Sequence, residues 1–263
     1  MMHLILAELQ KIGRQRSLFA AGFFIVPLFA LIAKMLMQAV VFRRMGSMNS
    51  AEGIDLLATA AKSLSISGNS LAHLFFALGV ASIFVVDYRY ATWRHLIPRR
   101  SRAQLWLAKF IAAFLCLFLS MALVLAGDVA LTGVVAMAGD GGLSFTVAPS
   151  SLTQFLLSLL TACLELLVLA ALTSLLTILF RSSMASVLIV FVLSLSTVMI
   201  GAYLGPSPEL WWIPGEVAGR MRDAIQTAGG AGFIGGAVVL LVWSTVLIGL
   251  SDVLFSVQEL RNE

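Results

Sequence analysis

Apolar residues in this chain run in long unbroken blocks, not in the short alternations of a half-buried sheet. Six blocks stand out, at about residues 18–41, 67–86, 105–127, 152–180, 184–204 and 233–255. A helix rises about 1.5 Å per residue, so about 20 residues cross a hydrocarbon core of roughly 30 Å. Each block has that reach. The pattern predicts an all-α, polytopic membrane protein with six transmembrane helices.

The remaining segments are short. Residues 1–17 place Leu4, Ile5, Leu6, Leu9 and Ile12 among Glu8, Lys11, Arg14 and Arg16. One face is apolar, which predicts a helix lying in the membrane interface ahead of the six-span domain, residues 18–263. The first apolar block exceeds a signal-peptide core and no small-residue cleavage site follows it, so it is expected to stay. Residues 43–70 are polar, with an amphipathic piece near Ile54–Leu64. Asp87–Arg102 is basic, Gly139–Ser151 is glycine-rich, and Arg181–Ser183 is a minimal turn. Residues 205–230 carry Pro206, Pro208, Pro214 and the pair Trp211-Trp212, with helix expected again over Gly215–Gln226. Pro27 interrupts the first block, and no internal repeat is evident.

Composition excludes a water-soluble domain. Hydrophobic residues make up 60% of the 263 residues and charged ones 11%, with mean hydropathy +1.01. Soluble domains carry about 25% charged residues. The chain is basic, with 17 Lys+Arg against 13 Asp+Glu, but the positive charges gather at block ends and not on a face suited to nucleic acid. With six spans both termini share one side. That side holds eleven Lys and Arg, the other five, with Lys34 inside the first span left out. Lys and Arg are retained in the cytoplasm, so the N and C termini are expected there. Cys116 and Cys163 fall inside apolar blocks and read as packing residues.

The segment after the second block mixes an acid, aromatics, arginines and a proline: Asp87, Arg89, Thr92, Trp93, Arg94, His95, Pro98, Arg99, Arg100, Arg102 and, in the next block, Lys109. Retention of charge explains the arginines and nothing more. The segment resembles the cytoplasmic loop of type-2 ABC exporter permeases, the membrane subunits of the ABC-2 superfamily. Asp87 stands at the family's acidic position and Thr92 at its threonine. Pro98, Arg102 and Lys109 match the proline, arginine and lysine that lead into the third span. Ala91 stands where glycine is usual, and the spacing from Pro98 to Arg102 is altered. The layout is similar too, from the interfacial helix to a Pro/Trp segment between spans five and six.

The resemblance implies a non-catalytic permease subunit in a bacterial plasma (inner) membrane. Its partners would be a dimer of cytoplasmic ABC ATPase subunits, a second permease copy or homologous permease, and membrane lipids, with no nucleic acid. It implies that Asp87, Arg89, Thr92, Arg94, Pro98, Arg99 and Arg102 form the loop that couples to the ATPase. It also implies an outer gate at Pro206, Trp211, Trp212 and Pro214; an ordinary loop with an aromatic anchor is the alternative. The substrate class implied is amphipathic: a peptide, an antibiotic or a lipid-like molecule. No cofactor is expected on this chain. A P-loop needs a lysine after glycine, and none of Lys11, Lys34, Lys62 and Lys109 follows one.

Charges inside spans are functional candidates. Lys34 in the first span and Glu165 in the fourth lie at similar depths by helical rise, which makes them a candidate ion pair. Alternatively Lys34 snorkels to the headgroups, while Glu165 is protonated or faces a polar cleft. Asp128 and Asp252 are expected to be solvated at span ends, and His73 to be a hydrogen-bonded boundary residue, not a ligand. Gly232 and Gly236 have a spacing that permits close helix approach. No metal-ligand spacing or catalytic constellation stands out. The competing function is a gradient-driven secondary transporter with Glu165 as its ion or proton site; an intramembrane enzyme or assembly subunit is a third.

Overall fold

The structure, a computed structural model, describes residues 1–45, 54–90, 101–138, 145–146, 148–204, 210–227 and 232–258. Six of its helices are long and apolar enough to cross a membrane. They run from one end of the bundle, which carries the N-terminal helix and is called the N-terminal face below, to the opposite face and back.

The N-terminal helix spans Met2–Arg14 and buries Glu8 and Ile12 on one side. Span 1 follows as Arg16–Phe19, a π-helical turn at Ala20–Phe24, and Ile25–Met45. The π-turn has a local cause. Pro27 has no N–H for the carbonyl of Phe23 and its ring crowds that carbonyl, so the helix widens there. The Ser120 hydroxyl of span 3 donates to the Phe23 carbonyl at 2.6 Å. The backbone oxygen that proline leaves short thus finds a partner on another helix, as an apolar interior requires.

After span 1, Asp55 caps the short helix Leu56–Ser63 by accepting from the amides of Leu57 and Ala58 at 3.0 and 3.1 Å. The two-residue strand Ile54–Asp55 pairs in parallel with Phe145–Thr146, joining the two segments on the opposite face. The Ser151 hydroxyl also donates to Asp55. That bond, with the backbone amides behind it, holds the half-buried Asp55 carboxyl below its ordinary range. A 3-10 turn, Leu64–Gly68, leads to span 2 at Ser70–Arg89, whose N-cap is Asn69.

Span 3 covers Arg102–Ala138, eleven residues beyond its expected end at 127. Gly127-Asp128 reads as a boundary in sequence, but Asp128 is buried and paired within the protein, so the helix does not stop there. Span 4 is Pro149–Phe180, with proline in its first turn; it ends at Arg181, which takes a left-handed φ of 51°. Span 5 is Ser183–Leu204 and span 6 is Phe233–Val257. Between them lies the helix Pro214–Thr227. Val217, Ala218, Met221 and Ile225 are buried along it at helical spacing, against spans 4 and 6.

Spans 2, 3 and 4 form the packed centre. Spans 1 and 5 leave most of their apolar surface outside the single chain. Where spans 1 and 2 meet, Gly22 and Gly79 face each other so closely that a Cβ on Gly22 would collide with the Gly79 backbone. Gly236 of span 6 likewise makes room for Met221 of the short helix. Gly236 therefore serves contact within the chain, while Gly232 has open space around it and takes the left-handed φ of 86° at the N-cap of span 6.

Candidate functional site

Among the described residues, three charge clusters sit inside the bundle. The first lies at the N-terminal face, where span 2 ends and span 3 begins. Lys109, 1% exposed, donates to Glu8 at 2.8 Å and pairs with Asp87, which is 0% exposed. Lys11 donates to Asp87 at 2.7 Å and to Glu8 at 3.4 Å. Two acids and two bases thus close a neutral ring that ties the N-terminal helix to the stems of spans 2 and 3. Burial acts on Lys11 to lower its pKa, but the carboxylates of Asp87 and Glu8 outweigh it, so the net movement is upward.

Both stems also reach the end of span 6. The Tyr88 hydroxyl donates to the Gln258 side chain at 2.9 Å. Arg102 donates to the carbonyls of Ser256 and Gln258 at 2.8 and 2.6 Å. The last carbonyls of a helix have no intrahelical partner and carry partial negative charge, so a guanidinium suits them. Arg89, also in the last turn of span 2, is exposed.

The second cluster surrounds Glu165, midway along span 4. Arg222, from the short helix between spans 5 and 6, pairs with its carboxylate. The Ser67 hydroxyl donates to the same carboxylate at 2.8 Å, and Arg222 donates to Ser67 at 3.0 Å. His73 lies 3.9 Å from Glu165, with its ring nitrogens 2.7 Å from the Ser194 hydroxyl and 2.6 Å from the Ser67 carbonyl. The turn before span 2 and the short helix before span 6 therefore sink into the bundle, where Arg222 supplies the counter-charge of an intramembrane acid.

The third cluster joins span 1 to span 3. Lys34 pairs with Asp128 and donates to Thr132 at 2.9 Å. It lines a cleft of about 980 Å³ shared with Lys62, Asn69, Phe29 and Phe75.

The candidate Lys34–Glu165 pair does not form in the structure: Lys34 pairs with Asp128 and Glu165 with Arg222. Helical rise fixes depth along a span and says nothing of which way a side chain faces, so equal depth did not make them neighbours. Asp128 is corrected with it. It is buried at 5% exposure, not solvated, because Lys34 supplies the counter-charge. His73 is hydrogen-bonded on both nitrogens, in keeping with its reading, but it is buried. Of the expected loop residues, Asp87, Arg89 and Arg102 are placed at its stems, while Thr92, Arg94, Pro98 and Arg99 lie outside the described residues. Of the outer segment, Trp211 and Trp212 are exposed, the Trp212 carbonyl accepts from the Trp243 indole at 2.7 Å, and Pro214 starts the short helix. Pro206 lies outside the described residues. Sequence reading missed Glu8, Lys11 and Arg222 as partners. The i,i+3 spacing of Glu8 and Lys11 was a usable signal; Arg222 gave none. Among the described residues, no group of three or more His, Cys, Asp or Glu is placed to hold a metal.

Six membrane-crossing helices with ion-paired charges in their interior define a multi-pass membrane protein. Residues 4–197 match the family model described as ABC-2 family transporter protein, and the chain belongs to that family. Among curated proteins, none matches the chain.

Proposed function

We propose that this chain is the transmembrane permease subunit of an ATP-driven ABC exporter in a bacterial plasma membrane, with both termini cytoplasmic. It moves an amphipathic substrate outward, whether peptide, antibiotic or lipid-like. ATP is bound and hydrolysed by a separate cytoplasmic ATPase dimer; the chain itself holds no cofactor and does no covalent chemistry. A second copy or a homologous permease completes the transport path.

The observation that carries this reading, beside family membership, is the ring of Glu8, Lys11, Asp87 and Lys109. It sits at the root of residues 91–100, the segment that resembles the ATPase-docking loop. A force applied to that loop enters spans 2 and 3 through stems already fastened to the N-terminal helix and, by Tyr88 and Arg102, to span 6. Movement of the loop is thereby shared among several spans and does not merely bend one. Arginines beside aromatics, as in Trp93, Arg94, Arg99 and Arg100, suit an interface with charge-assisted hydrogen bonds.

A gradient-driven reading needs Glu165 to exchange its proton or ion. Its ion pair with Arg222 weighs against that, because any exchange at Glu165 would have to break the pair and leave a guanidinium without its counter-charge.

Co-expression with a candidate ABC ATPase, co-purification and ATPase assay in lipid test the proposal. The wild type is expected to retain the ATPase and to show substrate-stimulated hydrolysis. Charge reversal at Arg94 or Arg99 is expected to lower both without changing the chain's own melting temperature. Binding and stimulation that survive both reversals would remove the coupling role.

A further inference from the structure

Two cavities meet beside Glu165. One, of about 350 Å³, lies between spans 4, 5 and 6 and is walled by groups such as Leu169, Leu193, Leu247, Trp212 and Trp243. The other, of about 430 Å³, is bordered by Glu165 and by Glu216, Arg220, Arg222 and Asp223 of the short helix. His73, Glu165, Ser194, Thr197 and Gly215 line both, so the hydrocarbon-lined lobe opens beside the charged one. Each volume falls in the range of about 300–1,000 Å³ typical of small-molecule sites. A ligand filling both must have an apolar end and a polar end.

The charges choose the polar end. Three carboxylates border the charged lobe against two guanidiniums, and Arg222 is already committed to Glu165. Glu216 is half-buried and, among the described residues, makes no hydrogen bond or ion pair. Its carboxylate occupies the space over Gly201 where any Cβ would stand, so span 5 leaves room for it there. A partly dehydrated carboxylate without a partner favours a cation. An anionic head would add to a lobe that already carries one carboxylate in excess, and a headless hydrocarbon would leave Glu216 unsatisfied.

We propose that the two lobes form one binding site, within a single chain, for an amine-bearing amphiphile. Its alkyl chain lies between spans 4, 5 and 6 and its ammonium group rests on Glu216. The site does not depend on ATP, so it stands or falls separately from the exporter reading. An aminophospholipid and a free cationic amphiphile share this chemistry.

The test uses the full chain in phosphatidylcholine nanodiscs and a long-chain alkylamine carrying a photoreactive diazirine. Labelling is expected at lobe residues such as Leu169, Leu193 and Leu247, with dodecyltrimethylammonium displacing the probe about ten-fold better than dodecyl sulfate or dodecanol. Glu216→Gln is expected to weaken amine binding by a similar factor, with Glu216→Asp restoring most of it. Leu193→Trp, which fills the apolar lobe, is expected to remove the labelling. Displacement by added phosphatidylethanolamine assigns the site to a lipid headgroup; displacement by dodecyltrimethylammonium alone assigns it to a free amphiphile. Equal competition by all three dodecyl compounds, an unchanged Glu216→Gln, or labelling only on outward residues such as Leu188 and Val246 would each overturn the proposal.

Discussion

Arg222 and Glu165 stand 57 residues apart in sequence and form an ion pair in the middle of the bundle. The pair fastens the short helix between spans 5 and 6 to span 4, with Ser67 bonded to both partners. Removing one member of a buried pair leaves an uncompensated charge, at a cost of about 3–5 kcal/mol. Arg222→Gln and Glu165→Gln are each expected to lower stability by that order. The double variant should cost less than the two singles summed, since it leaves no lone charge. Thermal unfolding of the purified protein, followed by size-exclusion chromatography, measures this. A double variant as costly as the sum would mean that the two residues act independently.

The ring at the loop root predicts unequal effects for its two lysines. The Lys109 side chain is 1% exposed and that of Lys11 33%, so water can replace Lys11's contribution but not that of Lys109. Lys109→Met is expected to destabilise by about 3–5 kcal/mol. Lys11→Gln, at a partly solvated position, is expected to cost about 1 kcal/mol or less. The same unfolding measurement compares them, and a reversed order would disprove the burial argument.

Contact between spans 1 and 2 at Gly22 and Gly79 predicts a steric effect with no charge in it. Gly22→Leu must displace the Gly79 backbone, which cannot yield as a side chain can, and is expected to destabilise by about 1–3 kcal/mol or more. Gly13 in the N-terminal helix has open space around the corresponding position, so Gly13→Ala should be neutral or stabilising by up to about 1 kcal/mol. Equal losses from both variants would argue against close packing as the cause.

Lys11 gives a pH dependence whose sign is fixed. Its pKa in the folded chain lies above the ordinary 10.5, because Asp87 and Glu8 outweigh its desolvation. Such a group contributes stability that is fully present below 10.5 and is lost as pH rises through the raised folded value. Unfolding curves from pH 7 to above 11 are expected to show that loss in the wild type and a smaller one in Lys11→Gln. Identical alkaline profiles would show that the loss arises elsewhere.

The spans were legible because they rest on a bulk property. Twenty apolar residues in a row have few other uses, and the first, fourth, fifth and sixth blocks matched their helices closely. The family was legible in the resemblance of the segment from Asp87 to Lys109 and of the six-span layout, and the match over residues 4–197 bears out the family. Residues that meet only through folding were harder. Asp128 looked like a span end because aspartate beside glycine favours one; a lysine 94 positions away reversed that reading. Glu165 was singled out as an intramembrane acid, but its partner came from the polar segment between spans five and six, which was read as lying outside the spans.

Composition and block length by themselves determined that this chain needs lipid as a solvent and how many times it can cross, and the resemblance of its loop segment and layout pointed to the family it joins. Those are one-dimensional properties: hydropathy accumulates along the chain and motifs sit at fixed spacing. The tertiary structure alone decided which charges neutralise which. Ion pairing depends on the rotation of each helix about its axis and on how deep the connecting segments sink. Neither can be read from depth along a span, and here they sent Lys34 to Asp128, Lys109 to Asp87, and Arg222 to Glu165.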